Sequence, residues 1–156
     1  MDGLYDSDIL RWSEQQAALL RRLAAGERVN DAIDWPNLID EVESVGRSQL
    51  NAVESLLDVG LRHLVLAYAA ARREAVPHWR AEARAALARA GRLATPGMLP
   101  RLELPEIWAS ARDVALAKLA VEAGIAREVS EACPFTLAEL LDRQPEIDTL
   151  LAHLDA

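Results

Sequence analysis

The chain has 156 residues and a formal net charge of −8, and this length is typical of one domain built around one hydrophobic core. A single cysteine, Cys133, excludes an intramolecular disulfide. The chain lacks the run of about 18 apolar residues that a membrane-spanning helix requires. We therefore expect one soluble, cytoplasmic domain over residues 1–156, with no membrane partner. The apolar residues are mainly Ala and Leu, with one Phe and two Tyr, which favours helices over sheets.

The first predicted helix begins near Asp6, Ser7 and Asp8, which are residue types that cap helix N-termini, and it ends at Gly26. A polar connector follows over residues 27–35. Within it Asp34 is a candidate cap, and the following Pro36 is tolerated only in a first helical turn. A second helix is therefore predicted to begin there.

The second helix is the longest predicted element, and its apolar residues fit a heptad repeat. This seam has nine positions, and seven of them are apolar. The nine residues are Leu38, Val42, Val45, Gln49, Ala52, Leu56, Val59, His63 and Leu66. Gly46 and Gly60 stand beside the seam, and a glycine within a helix costs about 1 kcal/mol relative to alanine, which suggests that another backbone approaches closely.

Gln49 and His63 are the two polar positions of the seam, and polar seam residues commonly fix register and partner choice. Together with Gly46 and Gly60 they are predicted to form an association surface, crossed by a helix of the same chain or of a second copy. We favour a homodimer over a monomer.

A third helix is predicted from Pro77 to Gly91 and a fourth from Pro105 to Gly124, because proline is tolerated in a first helical turn and glycine often follows a helix end. The proline- and glycine-containing segment 92–104 between them is predicted to be a loop.

Near the C-terminus, Thr136 and Glu139 form the pattern of a capping box, which predicts a closing helix that Pro145 interrupts. The chain is thus predicted to be all-α, a bundle of five or six helices organised around one long helix.

Several segments spread over nearly the whole chain resemble one bacterial family. The matching residues are Tyr5-Asp6-Ser7-Asp8-Ile9, Trp12, Gln16-Ala17, the run from Asp34 to Ser48, His63-Leu64, His78-Trp79-Arg80 and Cys133-Pro134-Phe135-Thr136-Leu137. They are similar to the family called domain of unknown function twenty-nine, and the run from Asp34 to Ser48 is the specific part. The resemblance implies an all-helical fold and no established activity. Family members usually carry a Lys-Trp pair after the His-Leu, where this chain has Leu66-Ala67.

A metal-dependent bundle enzyme is one alternative, because carboxylates and an imidazole are ligands for divalent metals. The candidate ligands are His63, Glu41 and Glu43. Their spacing argues against a shared ion, since 20 residues of one helix span roughly 30 Å. No cysteine and histidine stand close enough in sequence to suggest a thiol nucleophile, which leaves open whether the fold brings Cys133 near a histidine. We therefore predict neither a cofactor nor a resident metal.

A nucleic-acid-associated protein is the other alternative. Residues 62–101 contain eight basic and two acidic residues, whereas residues 27–58 contain eight acidic and two basic residues. A basic face is predicted from Arg73, Trp79, Arg80 and Arg84. However, a chain with a pI near 4.9 repels a phosphate backbone at long range. We expect no nucleic-acid partner, and we expect Arg80 and Arg84 to pair with the acidic segment.

The sequence therefore favours a non-catalytic interaction or regulatory module that self-associates and binds another protein. No motif in the chain identifies that partner.

Overall fold

A computed structural model describes residues 3–155 and shows an all-α protein. The helices are α1 (Leu4–Ser7), α2 (Ile9–Ala24), α3 (Trp35–Ala69), α4 (Val76–Leu93), α5 (Leu104–Glu122), α6 (Leu137–Leu140) and α7 (Ile147–His153). The backbone of residues 3–155 forms no strand, and one isolated antiparallel bridge joins Ala70 to Ile125. Since α3 is 35 residues long, the predicted all-helical fold around one long helix is confirmed. None of these helices is long and apolar enough to span a bilayer.

Residue contacts divide the chain into two compact units, Met1–Arg47 and Ser48–Ala156, and the boundary falls within α3. The single domain expected over residues 1–156 stays a prediction. Each unit is built around its own cluster of buried apolar side chains.

The first unit contains α1, α2 and the beginning of α3. Asp8 caps α2 by accepting a hydrogen bond of 3.0 Å from the backbone N–H of Arg11. Gly26 follows the helix with a φ of +86°, a conformation that glycine adopts without steric cost. Three buried apolar side chains form one cluster in this unit, Leu19, Val29 and Ile33, and Trp12 is buried as well. The predicted start and end of this first helix are thus confirmed.

In the second unit, the face of α3 that is buried is not the predicted heptad seam. Four buried positions each follow a seam residue by one: Val53, Leu57, Gly60 and Leu64. From Leu64 to Ala69 every residue is buried, so the seam residue Leu66 is buried as well. The seam residues Leu56, Val59 and His63 are half-buried. A shift of one residue rotates the buried face by about 100° around the helix axis. The assignment of the seam as the packed face is therefore corrected, because both stripes are largely apolar and only the packing partners distinguish them.

One apolar face of α4 and one of α5 are buried. They consist of Trp79, Ala83, Leu87 and Ala90 in α4 and of Trp108, Ala111, Ala115 and Leu119 in α5. However, α4 continues past Gly91 and ends at Leu93. The backbone carbonyls of Leu141 and Asp142 lie so close to Gly91 that a Cβ would overlap them. Gly91 therefore permits a backbone contact and does not end the helix.

The capping box at the start of α6 is confirmed. The side-chain oxygen of Thr136 accepts a hydrogen bond of 3.3 Å from the backbone N–H of Glu139, and the carboxylate of Glu139 accepts one of 2.8 Å from the backbone N–H of Thr136. The helix is only four residues long, and α7 begins two residues after Pro145. Local sequence thus sets the start of α6.

The expected pairing of Arg80 and Arg84 with the acidic segment is wrong. Arg80 forms an ion pair with Asp148 at the start of α7, and Arg84 donates a hydrogen bond of 3.2 Å to the carbonyl oxygen of Pro145. Both arginines therefore attach α4 to the C-terminal segment of the second unit.

Candidate interaction surface

Along the part of α3 that belongs to the first unit, an apolar face is exposed to solvent. The exposed fractions of Ile39, Val42 and Val45 are 53%, 68% and 64%, and that of Trp35 is 37%. Their spacing of four, three and three residues places them along one side of the helix. We call Trp35, Ile39, Val42 and Val45 the α3 stripe. Gly46 is exposed at its end, with nothing within 4 Å of the position that a Cβ would occupy.

A hydrogen-bond network fixes the start of α3 against α2. The carboxylate of Asp34 accepts hydrogen bonds from the indole of Trp12 (3.0 Å) and the amide of Asn37 (2.8 Å). The side-chain oxygen of Gln16 accepts a hydrogen bond of 2.9 Å from the backbone N–H of Asp34. The bonds from Asn37 and then Trp12 lower the pKa of Asp34, so the carboxylate is ionised in the folded protein at neutral pH. The network holds α3 in one orientation on α2.

A second contact ties α1 to the same part of α3. The hydroxyl of Tyr5 donates a hydrogen bond of 2.7 Å to Glu41, and the ring of Tyr5 meets that of Trp12 edge-on at 4.9 Å. The bond to Glu41 is the main reason that the pKa of Tyr5 is raised. Residues of the most specific sequence run thus hold the first unit together, while the α3 stripe in the same run is left exposed.

The residues of the predicted association surface lie in different environments. Gly46 and Gln49 are exposed. His63 is half-buried, and its Nδ1 lies 2.8 Å from the carbonyl oxygen of Val59. Gly60 is buried, and a Cβ on it would lie 2.5 Å from Leu87 of α4. The helix that crosses at Gly60 therefore comes from the same chain, and α4 covers Gly60.

Sequence reasoning missed Trp35 as part of the exposed face. The available signal was its spacing of four residues from Ile39 and seven from Val42, which continues the apolar side of α3 to its first residue.

The candidate metal ligands are engaged in other contacts. Glu41 accepts the hydrogen bond from Tyr5, Glu43 forms an ion pair of 3.1 Å with Arg47, and His63 bonds to the backbone one turn before it. Among residues 3–155, no three His, Cys, Asp or Glu side chains are grouped so that they could hold a metal ion. Glu41, Glu43 and His63 thus each contact a different partner within the fold and are not brought together around one point.

The predicted basic face does not form an open platform of aromatic and basic residues. Trp79 is only 7% exposed, so its ring is not accessible for stacking on a base. Arg73 donates a hydrogen bond of 3.1 Å to the carbonyl oxygen of Ala67, while Arg80 and Arg84 bind the C-terminal segment. Arg73 and Arg80 instead line one cavity together with Arg127.

Cys133 and His153 line another cavity of about 370 Å³ in the second unit. The thiol lies 3.7 Å from the carbonyl oxygen of Phe135, and burial raises the pKa of Cys133. The ring of His153 lies 3.4 Å from the carboxylate of Glu139. A lowered pKa favours the nucleophilic thiolate, so the raised pKa of Cys133 favours the neutral thiol.

Comparisons with known proteins agree with this fold. A crystal structure described as an alpha-helical protein of unknown function from Rhodospirillum rubrum is similar to the chain, with a TM-score of 0.73, 28% sequence identity and 99% of each chain covered. No curated protein matches the sequence significantly. Residues 4–144 match the family described as Domain of unknown function DUF29. As the resemblance of its sequence motifs predicted, the chain belongs to the DUF29 family.

Proposed function

We propose that this protein is a non-catalytic helical interaction module that self-associates through the α3 stripe of its first unit. The observation that carries the proposal is the exposure of Ile39, Val42 and Val45 on one side of a helix whose other side is fixed to α2. Single exposed apolar residues are normal on protein surfaces, whereas a contiguous apolar face is typical of an interaction site.

A second copy of the chain is the partner that fits this face best. If two α3 helices pack antiparallel about a two-fold axis, Val42 of one copy lies opposite Gly46 of the other. The space beside Gly46 is empty, so it can receive the valine side chain and let the two helices approach closely. A two-fold interface repeats this contact, because each surface patch meets its own copy.

The charges beside the stripe support the same arrangement. Glu43 and Arg47 lie along one edge of the stripe and pair within the helix at 3.1 Å. In the antiparallel pair, Glu43 of each copy lies on the same edge as Arg47 of the other, so opposite charges face each other across the interface. Such complementarity fixes register and orientation more than it adds affinity.

Sedimentation velocity over a wide range of protein concentration tests the proposal. The wild type is expected to shift from monomer to dimer as its concentration rises. Val42→Lys and Val45→Lys are expected to keep the protein monomeric, because each places an ammonium group within the apolar contact. Both residues are exposed, so either substitution is expected to change the free energy of unfolding of the monomer by no more than about 0.5 kcal/mol.

The matched control is Val121→Lys. Val121 is 84% exposed on α5 of the second unit, so this variant adds the same charge to a valine outside the stripe and is expected to dimerise like the wild type. A wild type that stays monomeric at every concentration would overturn the proposal, as would equal loss of association in Val42→Lys and Val121→Lys.

A further inference from the structure

Three arginines from separate parts of the second unit line one cavity of about 240 Å³. Arg73 belongs to the connection between α3 and α4, Arg80 to the beginning of α4, and Arg127 to the segment after α5. Tyr68, in the last turn of α3, contributes to the same wall. In a chain of net charge −8, three guanidinium groups around one small cavity form a local site of positive charge.

The fold brings these arginines together through backbone hydrogen bonds. The N–H of Ala126 donates to the carbonyl of Ala69 at 2.7 Å, and the N–H of Ala71 donates to the carbonyl of Gly124 at 3.0 Å. These bonds hold the segment after α3 beside the segment after α5. Arg73 and Arg127, which are distant in sequence, therefore reach the same cavity.

Carboxylates of the C-terminal segment already engage two of the three arginines. Arg80 pairs with Asp148, and Arg127 pairs with Asp155 at 3.4 Å. The side chains of Asp148 and Asp155 are 82% and 62% exposed, and ion pairs at such exposure contribute little to stability. An incoming anion can therefore replace either carboxylate at small cost.

Arg73 differs from the other two arginines. Its guanidinium donates to the carbonyl oxygen of Ala67 at 3.1 Å, and it forms no ion pair within the part of the chain that the structure describes. Among the residues that the structure describes, three guanidinium groups and two carboxylates line the cavity, so the charge of this described lining is positive.

Tyr68 adds a hydrogen-bond donor to this wall. Its ring lies under the guanidinium of Arg127, 5.0 Å from ring centroid to Cζ. Burial, and then the interaction with Asp155, raise the pKa of Tyr68 above its ordinary value of 10.0. The hydroxyl therefore keeps its proton at neutral pH and is able to donate a hydrogen bond to an anion.

We propose that this cavity binds a phosphate-class anion through Arg73, Arg80 and Arg127, and that Asp148 and Asp155 occupy the site when the anion is absent. The planar guanidinium group matches the oxygens of phosphate in a two-pronged hydrogen-bond geometry. The tetrahedral anion has oxygens enough for several arginines at once, whereas each carboxylate holds one arginine. The cavity is smaller than the usual range of about 300 to 1,000 Å³ for drug-sized ligands, so it fits a phosphate group better than a large cofactor.

The test is a titration of the ¹⁵N-labelled full chain with inorganic phosphate, followed by NMR chemical shifts at ionic strength matched with chloride. We expect saturable shifts centred on the backbone of residues 67–73 and 124–127. Arg73→Gln is expected to weaken binding at least about tenfold, because it removes a charge-assisted hydrogen bond to the anion. The control, Arg89→Gln, removes an exposed arginine of α4 that is not part of the cavity wall and is expected to bind like the wild type.

Variants that gain affinity for phosphate give a second test, because misfolding would lower the affinity and not raise it. Asp155→Asn and Asp148→Asn remove the competing carboxylates and are expected to bind phosphate about two- to fivefold more tightly, in line with the weak ion pairs that they break. Phenyl phosphate in a parallel titration distinguishes a phosphate ester from free phosphate as the better ligand. Acetate that binds as tightly as phosphate would overturn the assignment of the anion. Shifts that chloride reproduces, or equal binding by Arg73→Gln and Arg89→Gln, would overturn the site itself.

Discussion

Gly60 of α3 lies directly against Leu87 of α4, so closely that a Cβ on the glycine would stand 2.5 Å from Cδ2 of the leucine. Leu87 is fully buried in the core of the second unit, so its side chain has little room to move aside. The absence of a side chain at position 60 therefore sets how near α4 approaches α3. Gly46, in the same helix, has no such neighbour.

Gly60→Ala and Gly46→Ala are expected to change stability in opposite directions. Gly60→Ala should destabilise the protein by about 1 to 2 kcal/mol, because overpacking costs about 1 to 3 kcal/mol and the better helix propensity of alanine offsets part of that. Gly46→Ala should stabilise the monomer by about 0.5 to 1 kcal/mol, since only the propensity changes. Urea denaturation at low protein concentration measures both values. Equal effects of the two substitutions would contradict the close approach at Gly60.

Thr136→Ala is expected to destabilise the protein by about 1 kcal/mol, whereas Thr136→Ser should be nearly neutral. The reason is that the side-chain oxygen of Thr136, which serine keeps, accepts the hydrogen bond from the backbone N–H of Glu139. Thermal denaturation followed by circular dichroism compares the two variants with the wild type. Equal losses would show that packing of the threonine methyl group, and not the capping bond, holds the residue.

The stability of the fold is expected to fall on acidification, partly through Glu139. The pKa of this carboxyl is lowered from its ordinary value of 4.5, chiefly by the hydrogen bond from the backbone N–H of Thr136. Because the folded-state pKa lies below that of the unfolded chain, the ionised carboxylate stabilises the fold above about pH 4.5, and this contribution is lost as the pH falls through the lowered value.

The comparison of wild type with Glu139→Gln between pH 7 and pH 3 isolates this contribution. The wild type should be the more stable protein at neutral pH, and the difference should shrink below about pH 4.5. Glu128→Gln is the control, because Glu128 is exposed and takes no part in the capping box. A difference between wild type and Glu139→Gln that does not change with pH would assign the role of Glu139 to contacts that do not depend on its charge.

Charge exchange tests the proposed antiparallel dimer. Glu43→Arg gives a chain with two arginines on that edge of the stripe, and Arg47→Glu gives a chain with two glutamates. Each variant alone should dimerise less than the wild type, because like charges face each other across the interface. An equimolar mixture of the two should recover dimers by forming the mixed pair, which native mass spectrometry identifies. Recovery in the mixture must be strongest at low salt.

A mixture that contains no mixed dimer would place Glu43 and Arg47 outside the interface. Their ion pair of 3.1 Å would then act only within α3, as an exposed pair of the kind that contributes about 0.3 to 0.5 kcal/mol to a helix.

The sequence by itself determined several of the helix boundaries. The cap at Asp8, the glycine at position 26 and the capping box at Thr136 depend on residues only a few positions away, so short-range pattern was enough to identify them. The capping signals held even for α6, which is four residues long. The family was likewise visible in local motifs, above all in the run from Asp34 to Ser48.

Tertiary structure decided which side of α3 is buried in the second unit and what Gly91 does. Two neighbouring stripes of α3 are largely apolar, so hydrophobic pattern did not distinguish the packed face from the half-buried one. In the folded chain, Leu87 of α4 packs against Gly60 of the buried stripe. As a glycine, Gly91 was predicted to end its helix. Its role instead is to leave room for the backbone carbonyl of Leu141, which lies fifty residues later in the chain.

The arginine cavity also depended on tertiary structure alone. Arg73 and Arg80 were predicted to belong to a basic face, but nothing in local sequence connects them to Arg127 or to the carboxylates of Asp148 and Asp155. The backbone bonds between the segments after α3 and α5 bring those residues together. Charge clusters built from distant segments follow from chain topology, which is set by the packing of the whole core and not by neighbouring residues.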